Sequence, residues 1–123
     1  MVIVTARDAA ALLAPLFADV PGERLAVLHL DRARRPVAVD AYEAAEAEIL
    51  LPMRAIFAVA LGHDAAGMVI AHNHPSGDPR PSRADREATR RIAETAASLG
   101  VILHDHLIFA GTGWQSLRES GML

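Results

Sequence analysis

The chain has 123 residues, 52% apolar and 22% charged, which is room for one domain with a real core and too little for two. Its net charge of −3 argues against the strongly basic surface of a general nucleic-acid binder. With no cysteine, disulfides, thiolate zinc sites and a cysteine nucleophile are excluded, and a reducing, cytoplasmic setting is expected.

Aromatics make up only 4% of the chain, so alanine and the branched aliphatics must fill the core. Thr5 and Asp8 have the T-x-x-D spacing of a helix start. The helix is predicted to run to about Ala18, bent at Pro15 and ended by Pro21-Gly22. Its apolar stretch resembles a signal-peptide core, but Arg7-Asp8 before it and the lack of a clean small-x-small cleavage pattern favour an ordinary helix. No apolar run reaches the ~18 residues of a membrane-spanning helix. Arg24 to Leu30 is a short apolar run, predicted as a buried strand, and Asp31 to Arg35 as a charged turn. Pro36 to Ala41 and Ala47 to Leu51 are weaker strand candidates; the glutamate-rich stretch between them could equally be helical. Pro52 suits a first helical turn. Met53, Ile56, Phe57, Ala60 and Leu61 follow it at helical spacing, with Gly62 as the stop. Gly67 to Ala71 is the next predicted strand. A Pro/Gly-rich loop follows, then a helix from Ser82 to Gly100, a strand from Val101 to Ala110, a turn at Gly111 to Gly113 and a short last strand. Strands alternating with helices predict a single α/β layered domain over residues 1–123, with its site at the carboxyl ends of strands.

That position is occupied by the stretch A-H-N-H-P-S-G-D-P-R-P-S-R-A-D, from Ala71 to Asp85. Residues two apart on a strand point the same way, so His72 and His74 can converge on one ion. Ser82-x-x-Asp85 has capping-box spacing, which alone would make Asp85 a helix-start residue. Asp85 also falls on one helical stripe with Ala88, Ile92, Thr95, Ala96 and Leu99, while Arg83, Arg86, Glu87, Arg90 and Glu94 lie elsewhere. A carboxylate on a buried stripe is costly unless paired or bound to a cation. Two imidazoles and a carboxylate suit a divalent metal and leave a position open for water, which points to a hydrolase. Such an enzyme needs a carboxylate base. Glu23, Glu43, Glu46 and Glu48 are the upstream candidates, and pattern alone does not choose among them.

H-N-H-P-S-G-D-P-x-P-S-x-x-D resembles the signature of the RadC family, within the JAMM (MPN/JAB) metalloprotease superfamily. The superfamily pattern is H-x-H, seven residues, then S-x-x-D, and it falls here on His72, His74, Ser82 and Asp85. L-P-M-R-A-I-F at Leu51 to Phe57 resembles the family's V-H-P-R-E-I-F, with Ala55 in place of its glutamate. L-H-D-H-L-I-F at Leu103 to Phe109 resembles V-L-D-H-I-I-I. The resemblance implies a three-layer α/β/α, cytidine-deaminase-like fold on a mixed sheet. It implies one zinc ion held by His72, His74 and Asp85, and a peptidase or isopeptidase activity. It selects Glu23, in G-E-R-L-A-V-L-H-L-D, as the catalytic base, and makes Ser82 a stabiliser of the tetrahedral intermediate's oxyanion.

The alternative is a DNA-repair-associated nucleic-acid-binding or nuclease protein of RadC type. It rests on Arg80, Arg83, Arg86, Arg90 and Arg91 near the head of the long helix, balanced by Asp78, Glu87 and Glu94. A zinc deaminase needs H-x-E with P-C-x-x-C, which this chain lacks. His104 and His106, two apart on a predicted strand, are expected to share a face and to serve packing. His29 and His63 have no evident partner, and Trp114 is expected to pack at the end of the sheet.

Overall fold

In a computed structural model, residues 1–43 and 52–123 are described. The candidate strand Ala47 to Leu51, and most of the glutamate-rich stretch before it, lie outside the described residues. Thr5 opens α1 (Ala6–Leu13) with a complete capping box to Asp8, and the chain tightens into a 3-10 turn at Ala14–Phe17, where Pro15 cannot continue the α-helical ladder. Then follow β1 (Arg24–Leu30), β2 (Pro36–Glu43), α2 (Met53–Gly62), β3 (Gly67–Asn73), α3 (Arg83–Ser98), β4 (Ile102–Ala110) and β5 (Gly113–Ser116). None of the described helices is long and apolar enough to cross a membrane.

The strands form one mixed sheet in the order β2-β1-β3-β4-β5, with β3 and β4 parallel and the other neighbours antiparallel. The central strand β3 is buried along its whole length, because both its faces are covered. On one face α1 packs Ala9, Ala10 and Leu13 against Ala26, Leu28, Val69 and Leu107. On the other, α2 and α3 pack Ile56, Ala60, Ile92 and Ala96 against Val27, Met68 and Ile70. This is the expected three-layer α/β/α arrangement.

Both later helices stop in Schellman turns. After α3, Gly100 takes the left-handed position (φ 75°), while Val101 N–H reaches back to the Ala96 carbonyl at 2.8 Å. After α2 that position belongs to Asp64 (φ 50°), so Gly62 is the last helical residue and not the stop. Leu61 and Leu99, expected on buried stripes, are 55% and 42% exposed because each lies at a helix end that has cleared the sheet.

β4 corrects a further expectation. Met68 pairs with Leu103 but Val69 with Asp105, so a bulge takes up His104. Alternation breaks there: His104 and Asp105 both line a cavity beside α1, and His106 faces α3. The two histidines therefore do not share a face. His104 lies close over Gly67, where a Cβ would sit 2.3 Å from its Nε2. His29 has a partner after all: its Nε2 lies 2.6 Å from Asp40 Oδ1, across the β1–β2 pair. Trp114 packs against the α1-side core, as expected.

Candidate metal centre

Met68, Ile70 and His72 share the β3 face that looks toward α3. β3 ends at Asn73, and His74 continues its line by donating its N–H to the Phe109 carbonyl at 2.8 Å. The loop then turns back, and Ser82 opens α3 with a capping box: Asp85 N–H donates to Ser82 Oγ at 3.0 Å, and Ser82 N–H donates to Asp85 Oδ2 at 2.8 Å. The Asp85 carboxylate has two engagements. It caps the helix, and it faces the histidines, with Oδ2 3.0 Å from His74 Nε2 and Oδ1 3.1 Å from His72 Nε2. The two Nε2 atoms are themselves 3.0 Å apart. One ligand atom from each of His72, His74 and Asp85 lies within 4.8 Å of the others.

The far sides of the imidazoles decide what these atoms can do. His74 Nδ1 is 2.8 Å from the Asp78 carbonyl, which only accepts, so Nδ1 carries the proton and Nε2 a lone pair. The same logic runs further behind His72. Thr89 Oγ1 donates to the Asp85 carbonyl at 2.7 Å, so at 2.5 Å from His106 Nδ1 it accepts that nitrogen's proton. His106 Nε2 is then an acceptor, and His72 Nδ1, 2.7 Å away, donates to it. His72 Nε2 is left with its lone pair facing the cluster. Burial, aided by the nearby His72, pushes His106 down to about 3, which keeps it in this neutral, accepting form.

On these tautomers three acceptors point at one spot with no donor among them. A shared imidazolium proton or a metal ion would satisfy them, and the donor set fits a divalent metal with nitrogen and oxygen preference. Burial on its own would raise the Asp85 carboxyl; the facing His72 imidazole and the Ser82 N–H and hydroxyl outweigh it and hold the group well below the usual carboxylate range.

Glu23, just before β1, is half-buried and lines a cavity of about 90 Å3 together with His72, Asp85, His106, Ala84 and Ile92. Ser82 lies outside that lining. It is exposed, with its Oγ accepting from the Asp85 N–H. Of the arginines near α3, Arg80 pairs with Asp78 at 2.7 Å and Arg83 with Glu87 at 3.2 Å, while Arg86, Arg90 and Arg91 are exposed.

Sequence reasoning missed Thr89, His106 and the Asp78 carbonyl. A signal existed for Thr89: it sits one turn after Asp85, and the buried stripe of α3 is Asp85, Thr89, Ile92 and Ala96. Outer groups of this kind orient ligating imidazoles and raise their basicity.

Comparison with known proteins identifies the family of the chain. The family model for the RadC-like JAB domain matches residues 3–122. A UPF0758 protein of Salinibacter ruber is 38% identical over 126 aligned residues, covering 100% of this chain and 53% of that protein. The UPF0758 protein STH371 of Symbiobacterium thermophilum is 38% identical over 112 residues, covering 90% of this chain and 48% of its own. A UPF0758 protein of Rhodobacter capsulatus is 40% identical over 105 residues, covering 84% of this chain and 49% of its own. The chain thus spans about half the length of the curated relatives it matches. On the match over nearly its whole length, the chain belongs to the RadC-like JAB domain family.

Proposed function

We propose that this domain is a zinc-dependent metallohydrolase, cutting a peptide or isopeptide bond. One observation carries the reading: three acceptor atoms of His72, His74 and Asp85 converge within 4.8 Å, beside a cavity that Glu23 lines. His72, His74 and Asp85 would hold the ion, which when bound supplies a Lewis acid that polarises a carbonyl and acidifies a water. Glu23 takes the proton from that water and returns it to the leaving amine. Ser82 donates its hydroxyl proton to the oxygen that gains charge as the carbonyl carbon becomes tetrahedral, as oxyanion donors do. His106 and Thr89 keep the His72 proton on Nδ1, away from the reacting centre. The cavity is small, so the bulk of a peptide substrate lies across its mouth.

Metal analysis of protein prepared without chelating steps tests the reading. One zinc per chain is expected, lost in His72→Ala, while Glu23→Gln retains the metal and loses peptide hydrolysis. Absence of bound metal in the unaltered protein, with His72→Ala indistinguishable from it, refutes the reading.

A further inference from the structure

The middle residue of H-N-H takes no part in the metal cluster. Side chains alternate along a strand, so Asn73 points to the face opposite His72, beside Ala14, Phe17 and Phe109. It is 8% exposed, and both ends of its amide are engaged. Oδ1 accepts the Arg24 N–H at 2.7 Å, and Nδ2 donates to the Gly22 carbonyl at 2.9 Å. These two backbone groups flank Glu23 on either side. The last backbone pair between β1 and β3 is Leu25 with His72, so the side-chain amide continues the ladder where main-chain pairing stops. An amide matched donor to acceptor against a peptide edge fixes orientation as well as distance.

Arg24 is held a second time from the same side. Its Nη1 donates to the Leu16 carbonyl at 2.6 Å and its Nε to Glu43 at 2.7 Å. With both neighbours pinned on the α1 side, alternation turns Glu23 to the α3 side, into the cavity with His72 and Asp85.

We propose that Asn73 is the positioning residue for Glu23. Its two bonds set where the carboxylate stands relative to the histidines on either side of Asn73 itself. The inference rests on the reading of Glu23 as the base. Asn73 touches neither metal nor substrate and acts only through the backbone of Gly22 and Arg24. One strand end thus carries ligands on one face and the placement of the base on the other.

The test uses the protein loaded with Co2+, which needs no substrate. Asn73→Ala should leave Co2+ affinity unchanged, because no ligand is touched. It should speed exchange of the Arg24 amide hydrogen by roughly fivefold or more, as loss of one hydrogen bond does. It should move the pH dependence of the Co2+ visible spectrum in the direction that Glu23→Gln moves it, and add nothing when Glu23 is already Gln. With a cleavable peptide in hand, turnover should fall by up to ~100-fold, as expected for a displaced catalytic group. Asn73→Asp guards against a folding defect: it is isosteric, keeps an acceptor for Arg24, and sets an oxygen against the Gly22 carbonyl. Its spectral effect must also vanish in the Glu23→Gln background; persistence there overturns the proposal. A spectrum moved by Glu23→Gln but by neither Asn73 variant overturns it too, and leaves the base intact. A spectrum that Glu23→Gln does not move refutes the base, and this inference with it.

Discussion

Replacing Thr89 with valine deletes one hydroxyl and keeps the shape of the side chain. That hydroxyl accepts from His106 Nδ1 and donates to the Asp85 carbonyl. Valine leaves the His106 Nδ1–H against a methyl group. Should the proton stay, a buried donor lacks a partner, at a cost of about 1–3 kcal/mol. Should it move to Nε2, it meets the Nδ1–H of His72, 2.7 Å away. His72 must then carry its own proton on Nε2, the atom aimed at the cation, and a protonated nitrogen cannot coordinate. Both routes fall on the metal-loaded form, so affinity should drop by about 10- to 100-fold. The metal-free form can use the shifted proton as a bond to Asp85 Oδ1, 3.1 Å away. It should lose only about 1 kcal/mol of stability, from the bond to the Asp85 carbonyl. Competition with a chromogenic chelator gives the affinity, and urea unfolding of the metal-free protein gives the stability. Thr89→Ser restores the hydroxyl and should bind like the unaltered protein. Unchanged affinity in Thr89→Val, or equal weakening in Thr89→Ser, refutes the assignment of the protons.

His106 stays neutral in the fold down to about 3 but takes a proton near 6.5 once unfolded. The unfolded state binds the extra proton between those values. The His106 contribution to the stability of the metal-free protein is therefore full above about 6.5 and should be lost on acidification, by up to ~1.4 kcal/mol per pH unit. Urea midpoints against pH should show this slope, flattened in His106→Leu. Gly67→Ala would set a Cβ 2.3 Å from His104 Nε2. Thermal unfolding should register a loss of about 1–3 kcal/mol, largely removed when His104 is also alanine. Ser82→Ala removes the α3 cap and should cost about 1 kcal/mol. It should keep the metal and lower peptide turnover beyond what the lost stability explains; full turnover would remove Ser82 from the chemistry.

The candidate ligands were legible because they sit in one short stretch, where strand alternation and helix spacing act locally. Glu23 was not legible from pattern. It meets the histidines through the β1–β3 register, and no local period reports which strand a segment will pair with. Only the family resemblance selected it from four glutamates. His106 shows the reverse failure. Alternation read straight through β4 puts it on the face of His104, and the bulge that separates them leaves no mark in the composition. Asn73 was passed over as the variable letter of H-x-H. The usable signal was a polar residue at a position where both faces of a strand are covered, since such a group must have a partner. The layered fold itself followed from element order, and its helix ends from cap residues, with Asp64 taking the place expected of Gly62.

β3 reads G-M-V-I-A-H-N and is buried on both faces. Its apolar part is nearly indifferent to a slip of one residue, because either face would still be apolar. The polar end is not indifferent. Slipping by one residue would carry both histidines to the α1 side and bring Asn73 into their place, so a mispaired molecule could hold no ion at all. A metal ion held by His72, His74 and Asp85 would therefore favour, by mass action, the one register in which the sheet is correctly assembled.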